Sequence, residues 1–323
     1  MKAIRIHQFG PTEEVLQYEE VPTPEPGPGE LLIKVEAASL NRADLGLRKG
    51  TYRVSPDQLP LIPGREFAGT VAKIGPGVTE YKAGDRVVAY SGFGGYAEYA
   101  AAKTAEVRPV PDGVSSAQAA ALPTVFLTAW FGLTTDGNLK KGEWLLIQGG
   151  SSGVGVAAIQ IGKHLGAKVI ATSGSEEKCR RLRQLGADVT IDVSQNDFVP
   201  EVMRITGNRG VDVVLEMIGG EVYQKSLQAL APGGRLFSIG GAFGAIPDPP
   251  PALTEGRKAS RFSITNYLKA KPEDFRQLDT ILKLVQGKKF QVVIGKTFPL
   301  AETRAAQRYL EGREHFGKVM LTM

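Results

Sequence analysis

The sequence predicts an α/β protein of two domains, a β-rich domain and a domain built on a doubly wound parallel sheet. Its 323 residues suggest two domains, at roughly 150 residues for each. Up to about residue 120, short strand-like runs are separated by turn signals, which is typical of a compact β barrel or sandwich-like unit. From about residue 144, short apolar runs alternate with amphipathic helical segments, which indicates βαβ units and a parallel sheet.

The β-rich part is predicted from runs of strand-forming residues that end at glycine or proline turns. A loop with the sequence PEPGPGE precedes the first of these runs. In chain order the runs are LLIKVEAASL, FAGTVAKIG, DRVVAY and GYAEYAAA.

The parallel sheet is predicted to begin at WLLIQ, a continuous apolar run that is typical of a strand buried on both faces. The amphipathic segment VGVAAIQIGKHLG predicts a helix that ends at Gly166. A second helix, SEEKCRRLRQLG, has Ser175 as its N-cap and Glu176 and Glu177 in its first turn. The remaining strands are AKVIATS, VTIDV, VDVVLEMI and RLFSIGG. Beyond about residue 268 the chain alternates helix, strand, helix and strand, and we expect this short tail to pack on the first domain.

The composition excludes several classes of protein. The single cysteine, Cys179, rules out an internal disulfide and a four-cysteine zinc site, and the three histidines are far apart in sequence. A net charge of +5 fits either an ordinary solvated surface or an anionic partner such as a nucleotide. The N-terminus has no apolar targeting segment, and the uncharged stretch 113–135 contains Gln118 and Pro123, so we expect a cytoplasmic protein with a buried helical segment there.

A glycine-rich turn, GGSSGVG at 149–155, follows the predicted strand and opens the predicted helix. This context is the one that a dinucleotide site requires, because N–H groups at the start of a helix face the pyrophosphate and the helix dipole favours its charge. Ser152 departs from the usual glycine spacing but offers its backbone N–H and a hydroxyl donor. Gly155 is expected to let the helix pack close to the strand. The predicted contacts are Gly150, Ser152, Gly153, Val154 and Gly155.

The end of the second strand favours NADPH over NADH. An NAD site usually presents a carboxylate there for the ribose 2′-hydroxyl, but this strand ends in Thr172, Ser173, Gly174 and Ser175. Hydroxyls and backbone N–H groups, with the ammonium of Lys178, suit a 2′-phosphate instead. Lys178 and Arg181 could equally form a solvated helix face, and the two glutamates could simply complement the helix dipole.

The order and spacing of several motifs resemble the zinc-free quinone oxidoreductases of the medium-chain dehydrogenase/reductase superfamily, the group that includes zeta-crystallin. The resemblance covers essentially the whole chain. Besides GGSSGVG it rests on SLNRADLGLRKGTY at 39–52, LPLIPGREFAGTV at 59–71, AGDRVV at 83–88, GGYAEY at 94–99, LTAW at 127–130 and REHFGKVML at 313–321.

The zinc-dependent relatives of this family carry a cysteine at about Asn41, a histidine at the position of Arg65 and a four-cysteine lobe. This chain has none of them, so we expect no metal at the site. The resemblance implies a GroES-like domain from residues 1–123 and 269–323, a Rossmann domain from 124–268, and an active site in the cleft between them.

The family's functional positions imply further site residues in this chain. Asn41 would lie near the nicotinamide and the substrate, Tyr52 would line the substrate pocket, and Thr128 would contact the nicotinamide. Bland alternatives remain open for these three: a turn before a helix, a cap on the barrel edge and a buried core residue. The cofactor positions implied by the resemblance are Lys178, Gly240, Gly241, Gly317 and Lys318.

Two departures from the family pattern affect the binding sites. A pocket tyrosine is replaced by Gly46, which leaves the shape of the substrate site open. A tyrosine near the adenine is replaced by Val193.

The resemblance implies an enzyme that uses NADPH to reduce a quinone or another electron-poor α,β-unsaturated carbonyl by hydride transfer. The oxyanion would be met by Tyr52, by the nicotinamide ribose or by water. One alternative is an enoyl-thioester reductase of the same fold, with Arg48, Lys49 and Arg53 as a basic entrance. An alcohol dehydrogenase is disfavoured by the missing ligands, and a nucleotide- or RNA-binding protein is the alternative from another class.

Relatives of this fold usually form homodimers or tetramers. We expect RFSITNYL at 261–268 to be the interface strand, although an inner strand fits the same pattern.

Overall fold

The computed structural model describes residues 1–52, 54–240 and 244–323, with the backbone alone for Glu13 and Glu14. Two predicted site residues, Arg53 and Gly241, lie outside the described residues. The chain forms two compact units. The first unit is Met1–Thr124 with Pro272–Met323, and the second unit is Val125–Lys271.

The first unit begins with short strands joined by turns. Its leading segment contains β1 (Lys2–Ile6), α1 (Thr12–Val15), β2 (Leu16–Glu20), β3 (Glu30–Leu40), α2 (Arg42–Arg48), β4 (Glu66–Ile74), β5 (Arg86–Tyr90), β6 (Tyr99–Lys103), β7 (Val107–Pro109), α3 (Ser116–Ala120) and α4 (Pro123–Phe131), the last of which continues into the second unit.

The second unit alternates strands and helices, except that its last two strands follow each other with no helix between them in the described residues. A π-helical turn, Gly132–Asp136, follows α4. The elements are then β8 (Trp144–Ile147), α5 (Gly153–His164), β9 (Lys168–Ser173), α6 (Glu176–Gln184), β10 (Val189–Asp192), α7 (Phe198–Ile205), β11 (Val211–Glu216), α8 (Gly220–Gln228), β12 (Leu230–Ser238), β13 (Lys258–Arg261) and α9 (Ile264–Ala270).

The tail returns to the first unit, as predicted. It contains α10 (Gln277–Gln286), β14 (Ile294–Pro299), α11 (Thr303–Glu311) and β15 (Lys318–Thr322). Strand β15 pairs antiparallel with β3 and parallel with the edge strand β14, so it lies inside the first unit's sheet.

The main sheet of the first unit has the strand order β14-β15-β3-β4-β5-β7, and β6 also pairs with β3. Its core contains alternate residues of β3, including Leu31 and Ile33, together with Phe67 of β4 and Leu321 of β15.

The register of these strands gathers polar residues at the end of β3. Ala38 pairs with Phe67, and Leu40 pairs with Val319. The adjoining residues Ser39, Glu66 and Lys318 are therefore brought together there.

The sheet of the second unit is parallel throughout, in the order β10-β9-β8-β11-β12-β13. This confirms the doubly wound architecture, in which the order reverses between β8 and β11 and a ligand crevice opens at the carboxyl ends of the strands. Strand β11 is buried along its whole length. Gly162 lets α5 approach the sheet, because a Cβ there would lie 2.9 Å from Leu145.

The segment 261–268 corrects an expectation from the sequence. Only Arg261 belongs to a strand, β13 at the sheet edge, and Ile264–Ala270 forms helix α9. Phe262 and Ile264 are buried, and Tyr267 stacks on Phe131. The short apolar pattern fitted a strand, but Ile264 and Tyr267 lie on a helix and Phe262 precedes it.

The uncharged stretch 113–135 forms α3, α4 and the π-helical turn. In the part of the chain that the structure describes, every helix is too short or too polar to span a bilayer.

Candidate functional site

The glycine turn is fixed to the neighbouring strand by Thr172. The Thr172 hydroxyl accepts a hydrogen bond from the Gly149 N–H at 3.2 Å, and its carbonyl accepts from the Gly150 N–H at 2.8 Å. Gly149 has φ +68°, which favours glycine. The same hydroxyl donates to Gln148 at 2.8 Å, and Gln148 in turn donates to Ser226. A series of buried side-chain hydrogen bonds thus supports the turn.

Ser152 is the N-cap of α5, and its predicted contact with the cofactor stays a prediction. Its hydroxyl accepts from the Gly155 N–H at 3.0 Å and donates to Met217, while its own N–H donates to Gly149. Both of its predicted donors are therefore engaged inside the turn. The first N–H that donates within the helix is that of Val156, to the Ser152 carbonyl. The N–H groups of Gly153 and Val154 come before it, so they are the ones placed to bind an anion.

Gly155 contacts the turn rather than the strand. A Cβ at this position would lie 2.5 Å from the carbonyl oxygen of Gly150 and 2.6 Å from that of Gly149. The expected packing of helix on strand is provided by Gly162 instead. Gly155 allows the turn to fold back on the first turn of α5.

The carboxyl end of β9 holds a buried hydroxyl that no described residue satisfies. Ser173 is 3% exposed and its Oγ has no hydrogen-bond partner within the described ranges. Beside it, a side chain at Gly174 would meet nothing within 4 Å. Ser175 caps α6 by accepting from the Lys178 N–H at 3.3 Å, as predicted. A buried donor next to open space fits a polar ligand.

The other cofactor positions in the second unit lie around the same sheet. Lys178 and Arg181 are half-buried on α6. Gly240 follows β12 with φ +129°, and a side chain there would meet nothing within 4 Å. Thr128 is 6% exposed on α4. Val193, which replaces the family's tyrosine, is an exposed apolar residue after β10.

The first unit contains a buried polar cluster, which we define as Ser39, Asn41, Glu66 and Lys318. Glu66 is fully buried, and its Oε1 accepts from Ser39, from Asn41 Nδ2 at 2.7 Å and from Lys318 Nζ at 2.9 Å. Its Oε2 accepts from the Thr124 N–H at 2.6 Å. Burial opposes ionisation of Glu66, but the Lys318 charge and these hydrogen bonds outweigh it and hold the pKa below its usual value.

Lys318 lies inside this cluster. Its ammonium donates to Glu66, to Asn41 Oδ1 at 2.8 Å and to the Leu40 carbonyl at 2.9 Å, which uses its three N–H bonds. The resemblance implied a cofactor contact, which stays a prediction, but the geometry gives this ammonium a different set of partners. The preceding Gly317 has φ +81°, and a Cβ there would lie 2.2 Å from the Val293 carbonyl oxygen.

The amide of Asn41 is held in one orientation. Its oxygen faces the Lys318 ammonium and its nitrogen faces the Glu66 carboxylate, so a flipped amide would meet like charges at both ends. Asn41 also lies at the N-cap of α2, where its N–H donates to Asp44 Oδ2 at 2.7 Å. The bland interpretation of Asn41 as a helix start is therefore correct locally, and it coexists with the cluster.

Asp44 and Tyr96 extend the network. The Tyr96 hydroxyl donates to Asp44 at 2.8 Å, and both residues are buried. Burial raises the pKa of Asp44, and Arg65, the Asn41 N–H and Tyr96 oppose this effect without cancelling it. Burial and the Asp44 charge raise the pKa of Tyr96 well above its usual value, so Tyr96 remains a donor.

Tyr52 lies against Arg65. The Arg65 guanidinium is 5.3 Å from the centroid of the Tyr52 ring. A Cβ at Gly46 would lie 2.9 Å from Tyr52 Cβ, so the glycine that replaces the family's pocket tyrosine makes room for Tyr52. Sequence reasoning treated Arg65 only as a missing zinc ligand.

The basic entrance expected for an enoyl-thioester substrate is not formed as predicted. Arg48 is 2% exposed and its guanidinium donates to Gln307 at 3.0 Å and to Glu311 at 3.2 Å. Lys49 pairs with the same Glu311 at 2.6 Å. These contacts fasten α2 to α11, so Arg48 does not present its charge to solvent.

The predicted site residues form two sets. Asn41, Tyr52, Gly317 and Lys318 belong to the first unit, and the glycine turn, the end of β9 and Thr128 belong to the second. Sequence reasoning missed Ser39, Glu66 and Tyr96; a glutamate at the start of the apolar run FAGTV was the available signal. Within the described ranges, no three acidic, cysteine or histidine side chains gather as a metal site would require.

Two family descriptions match the chain. The description "Alcohol dehydrogenase GroES-like domain" matches residues 27–112, and "Zinc-binding dehydrogenase" matches residues 153–286. A quinone oxidoreductase of Sus scrofa is 33% identical over 326 residues, which covers 100% of this chain and 98% of the relative.

Solved structures of related oxidoreductases are also similar to this chain. The Escherichia coli quinone oxidoreductase, solved in complex with NADPH, has a TM-score of 0.91 and 30% identity, with 100% of both chains covered. The CurK enoyl reductase has a TM-score of 0.90 and 29% identity, with 100% of this chain and 99% of the other covered.

Proposed function

The chain belongs to the quinone oxidoreductase group of the medium-chain dehydrogenase/reductase family, and on that premise we propose that it reduces quinones or other electron-poor α,β-unsaturated carbonyls with NADPH, without zinc. Family membership confirms the resemblance seen in the sequence motifs, and the chain is an NADPH-dependent oxidoreductase. The acceptor is the part that we add.

The observation that supports NADPH most directly is the end of β9. Its Ser173 hydroxyl is buried and unsatisfied within the described ranges, next to the open space at Gly174. The half-buried cations Lys178 and Arg181 follow on α6. The end of β9 lacks the carboxylate that would bind the ribose 2′-hydroxyl of NADH. These groups fit a phosphate better than a bare ribose hydroxyl.

The first turn of α5 would bind the pyrophosphate. Gly153 and Val154 present N–H groups at the positive end of a twelve-residue helix. Gly150 and Gly155 keep the backbone bare of side chains at that place. When bound, NADPH supplies the hydride.

The first unit would supply the acceptor's hydrogen bonds. Asn41 has a fixed amide whose nitrogen keeps one N–H beyond its bond to Glu66. Tyr52 offers a hydroxyl next to a cation. Such preorganised donors stabilise an oxyanion where zinc would otherwise do so. Thr128 is proposed as a nicotinamide contact.

An enoyl-thioester reductase is the second candidate, supported by the similarity to the CurK enoyl reductase. The burial of Arg48 weighs against the basic entrance that this function was expected to use. A cytoplasmic location and a homodimer or tetramer remain predictions.

The proposed reaction is tested by following NADPH oxidation with 1,4-benzoquinone in the presence of EDTA, against NADH. We expect turnover that prefers NADPH and is unchanged by EDTA, because no step uses a removable metal. Crotonyl-CoA serves as the competing acceptor. Turnover of crotonyl-CoA alone would favour the second candidate, and loss of turnover with EDTA would contradict zinc independence.

Lys178→Met is expected to weaken NADPH binding about 10- to 100-fold and to leave NADH binding nearly unchanged. A hydrogen bond to a charged group is worth about 1.5–3 kcal/mol, and only NADPH carries the phosphate. Dissociation constants from the quenching of protein fluorescence measure both. Arg180→Met is the matched control, since Arg180 is an exposed cation on the same helix. Equal weakening of both cofactors would remove Lys178 from the phosphate site.

A further inference from the structure

Arg65 is a buried cation of the first unit. It is 7% exposed and lies directly before β4. Its position in the chain is held by the turn at Gly64, where φ is +91° and a Cβ would lie 2.3 Å from the Tyr96 ring. Burying a guanidinium is costly unless other groups compensate its charge.

Three groups of the first unit favour the charged form of Arg65, and Asp44 is the carboxyl among them. Burial lowers the pKa of Arg65, but Tyr90, Asp44 and Tyr52 more than offset this and raise it above its usual value. Arg65 therefore stays protonated. Asp44 is itself held in place by the Asn41 N–H and the Tyr96 hydroxyl. A continuous path of interactions thus links Asn41 to Tyr52 through Asp44 and Arg65.

The hydrogen bond between Arg65 and Tyr52 has a fixed direction. A guanidinium has donors only, so the Tyr52 oxygen must accept. The Tyr52 hydroxyl keeps its hydrogen and so remains a donor. The guanidinium lies 5.3 Å from the ring centroid, so it also restricts how the phenol can turn.

Gly46 is what allows this arrangement. Any side chain at position 46 would meet Tyr52 Cβ at 2.9 Å and displace the ring from Arg65. Tyr52 keeps part of its surface exposed, as an acceptor-binding group must. The bland interpretation, in which Tyr52 merely caps the barrel edge, gives no reason for a protonated arginine behind its hydroxyl.

We propose that Arg65 is a positioning residue that directs the Tyr52 hydroxyl to donate its hydrogen bond to the acceptor oxygen that gains negative charge. The inference rests on the proposed function. Arg65 thereby supplies positive charge next to the hydroxyl that would contact the acceptor. Tyr52 forms no covalent bond with the acceptor.

A double-mutant cycle tests this, with kcat and KM for benzoquinone measured in wild type, Tyr52→Phe, Arg65→Met and the double variant. Loss of one oxyanion donor lowers kcat by about 100-fold, so we expect that effect for Tyr52→Phe and at least about 10-fold for Arg65→Met. Because Arg65 acts through Tyr52, the double variant should be no slower than Tyr52→Phe. KM for NADPH should change little.

The cycle separates a positioning role from a structural one. If Arg65 only stabilises the fold, its loss lowers activity to the same extent with or without Tyr52, and additive effects overturn the inference. Arg48→Met is the matched control, because it removes another buried arginine of the first unit; we expect a lower Tm with kcat unchanged.

Two further outcomes are decisive. Arg65→Lys keeps the charge but not the planar donor set, so it should recover part of kcat, and it replaces Arg65→Met in the cycle if that variant does not fold. No recovery in a folded Lys variant counts against the proposal. A wild type that binds NADPH but reduces neither benzoquinone nor an enone overturns the proposed function, and the inference with it.

Discussion

Lys318→Met should lower the free energy of unfolding by about 3–5 kcal/mol, the cost of breaking a buried ion pair. Glu66 is fully buried and three side chains converge on its Oε1, of which Lys318 supplies the only positive charge among those donors. Without the ammonium, the carboxylate either stays charged at high cost or takes up a proton and releases its donors. Urea denaturation at pH 7 measures the change.

The double variant Glu66→Gln/Lys318→Met is the control. It removes both charges at once, so we expect it to recover most of the stability that Lys318→Met loses. NADPH affinity separates the two possible parts of Lys318. A residue of the buried polar cluster should leave the dissociation constant of folded protein nearly unchanged. A large loss of affinity with little loss of stability would instead support the cofactor contact implied by the resemblance.

The same pair predicts a pH dependence. The pKa of Glu66 in the folded protein lies below its ordinary value of 4.5. A carboxyl with a lowered pKa stabilises the fold above the unfolded pKa and loses that contribution as the pH falls through the folded one. The stability difference between wild type and Glu66→Gln should therefore shrink on acidification below about pH 4.5.

Local rules made the second unit predictable. The apolar run WLLIQ, the glycine turn and the Ser175 cap each specify their structure within a few residues, and β8, the start of α5 and the N-cap of α6 follow them. The prediction of a strand at 261–268 was wrong because a short apolar pattern does not separate a strand from a helix.

The buried polar cluster could not be predicted in this way. Lys318 meets Asn41 and Glu66 across separations of 277 and 252 residues. Only the pairing of β15 with β3, and of β3 with β4, brings them together. The resemblance named Asn41 and Lys318 separately. The carboxylate that accepts hydrogen bonds from both of them belongs to Glu66, which no motif singled out.

Gly155→Ala should have the second large effect, a loss of about 1–3 kcal/mol in the free energy of unfolding. This is the typical cost of inserting atoms into close-packed structure. The new Cβ would lie 2.5 Å from one backbone oxygen and 2.6 Å from another, and backbone cannot rotate away as a side chain can. Either the turn or the first turn of α5 must therefore move.

We also expect this movement to weaken NADPH binding. The N–H groups of Gly153 and Val154 are aligned by the N-cap bond from the Gly155 N–H to Ser152, at 3.0 Å. Displacing Gly155 breaks that alignment, so we expect NADPH to bind at least about 10-fold more weakly, since an aligned hydrogen bond to a charged group is worth about 1.5 kcal/mol or more. Fluorescence titration and thermal melting give the two values.

Gly92→Ala is the matched control for the added methyl group, since a Cβ at Gly92 would meet nothing within 4 Å. It should melt and bind NADPH as the wild type does. If Gly155→Ala also did both, the turn would be free to open without cost, and its tight closure on α5 would not be what positions the anion site. A melting change without an affinity change would separate the two functions of Gly155 and assign it to stability alone.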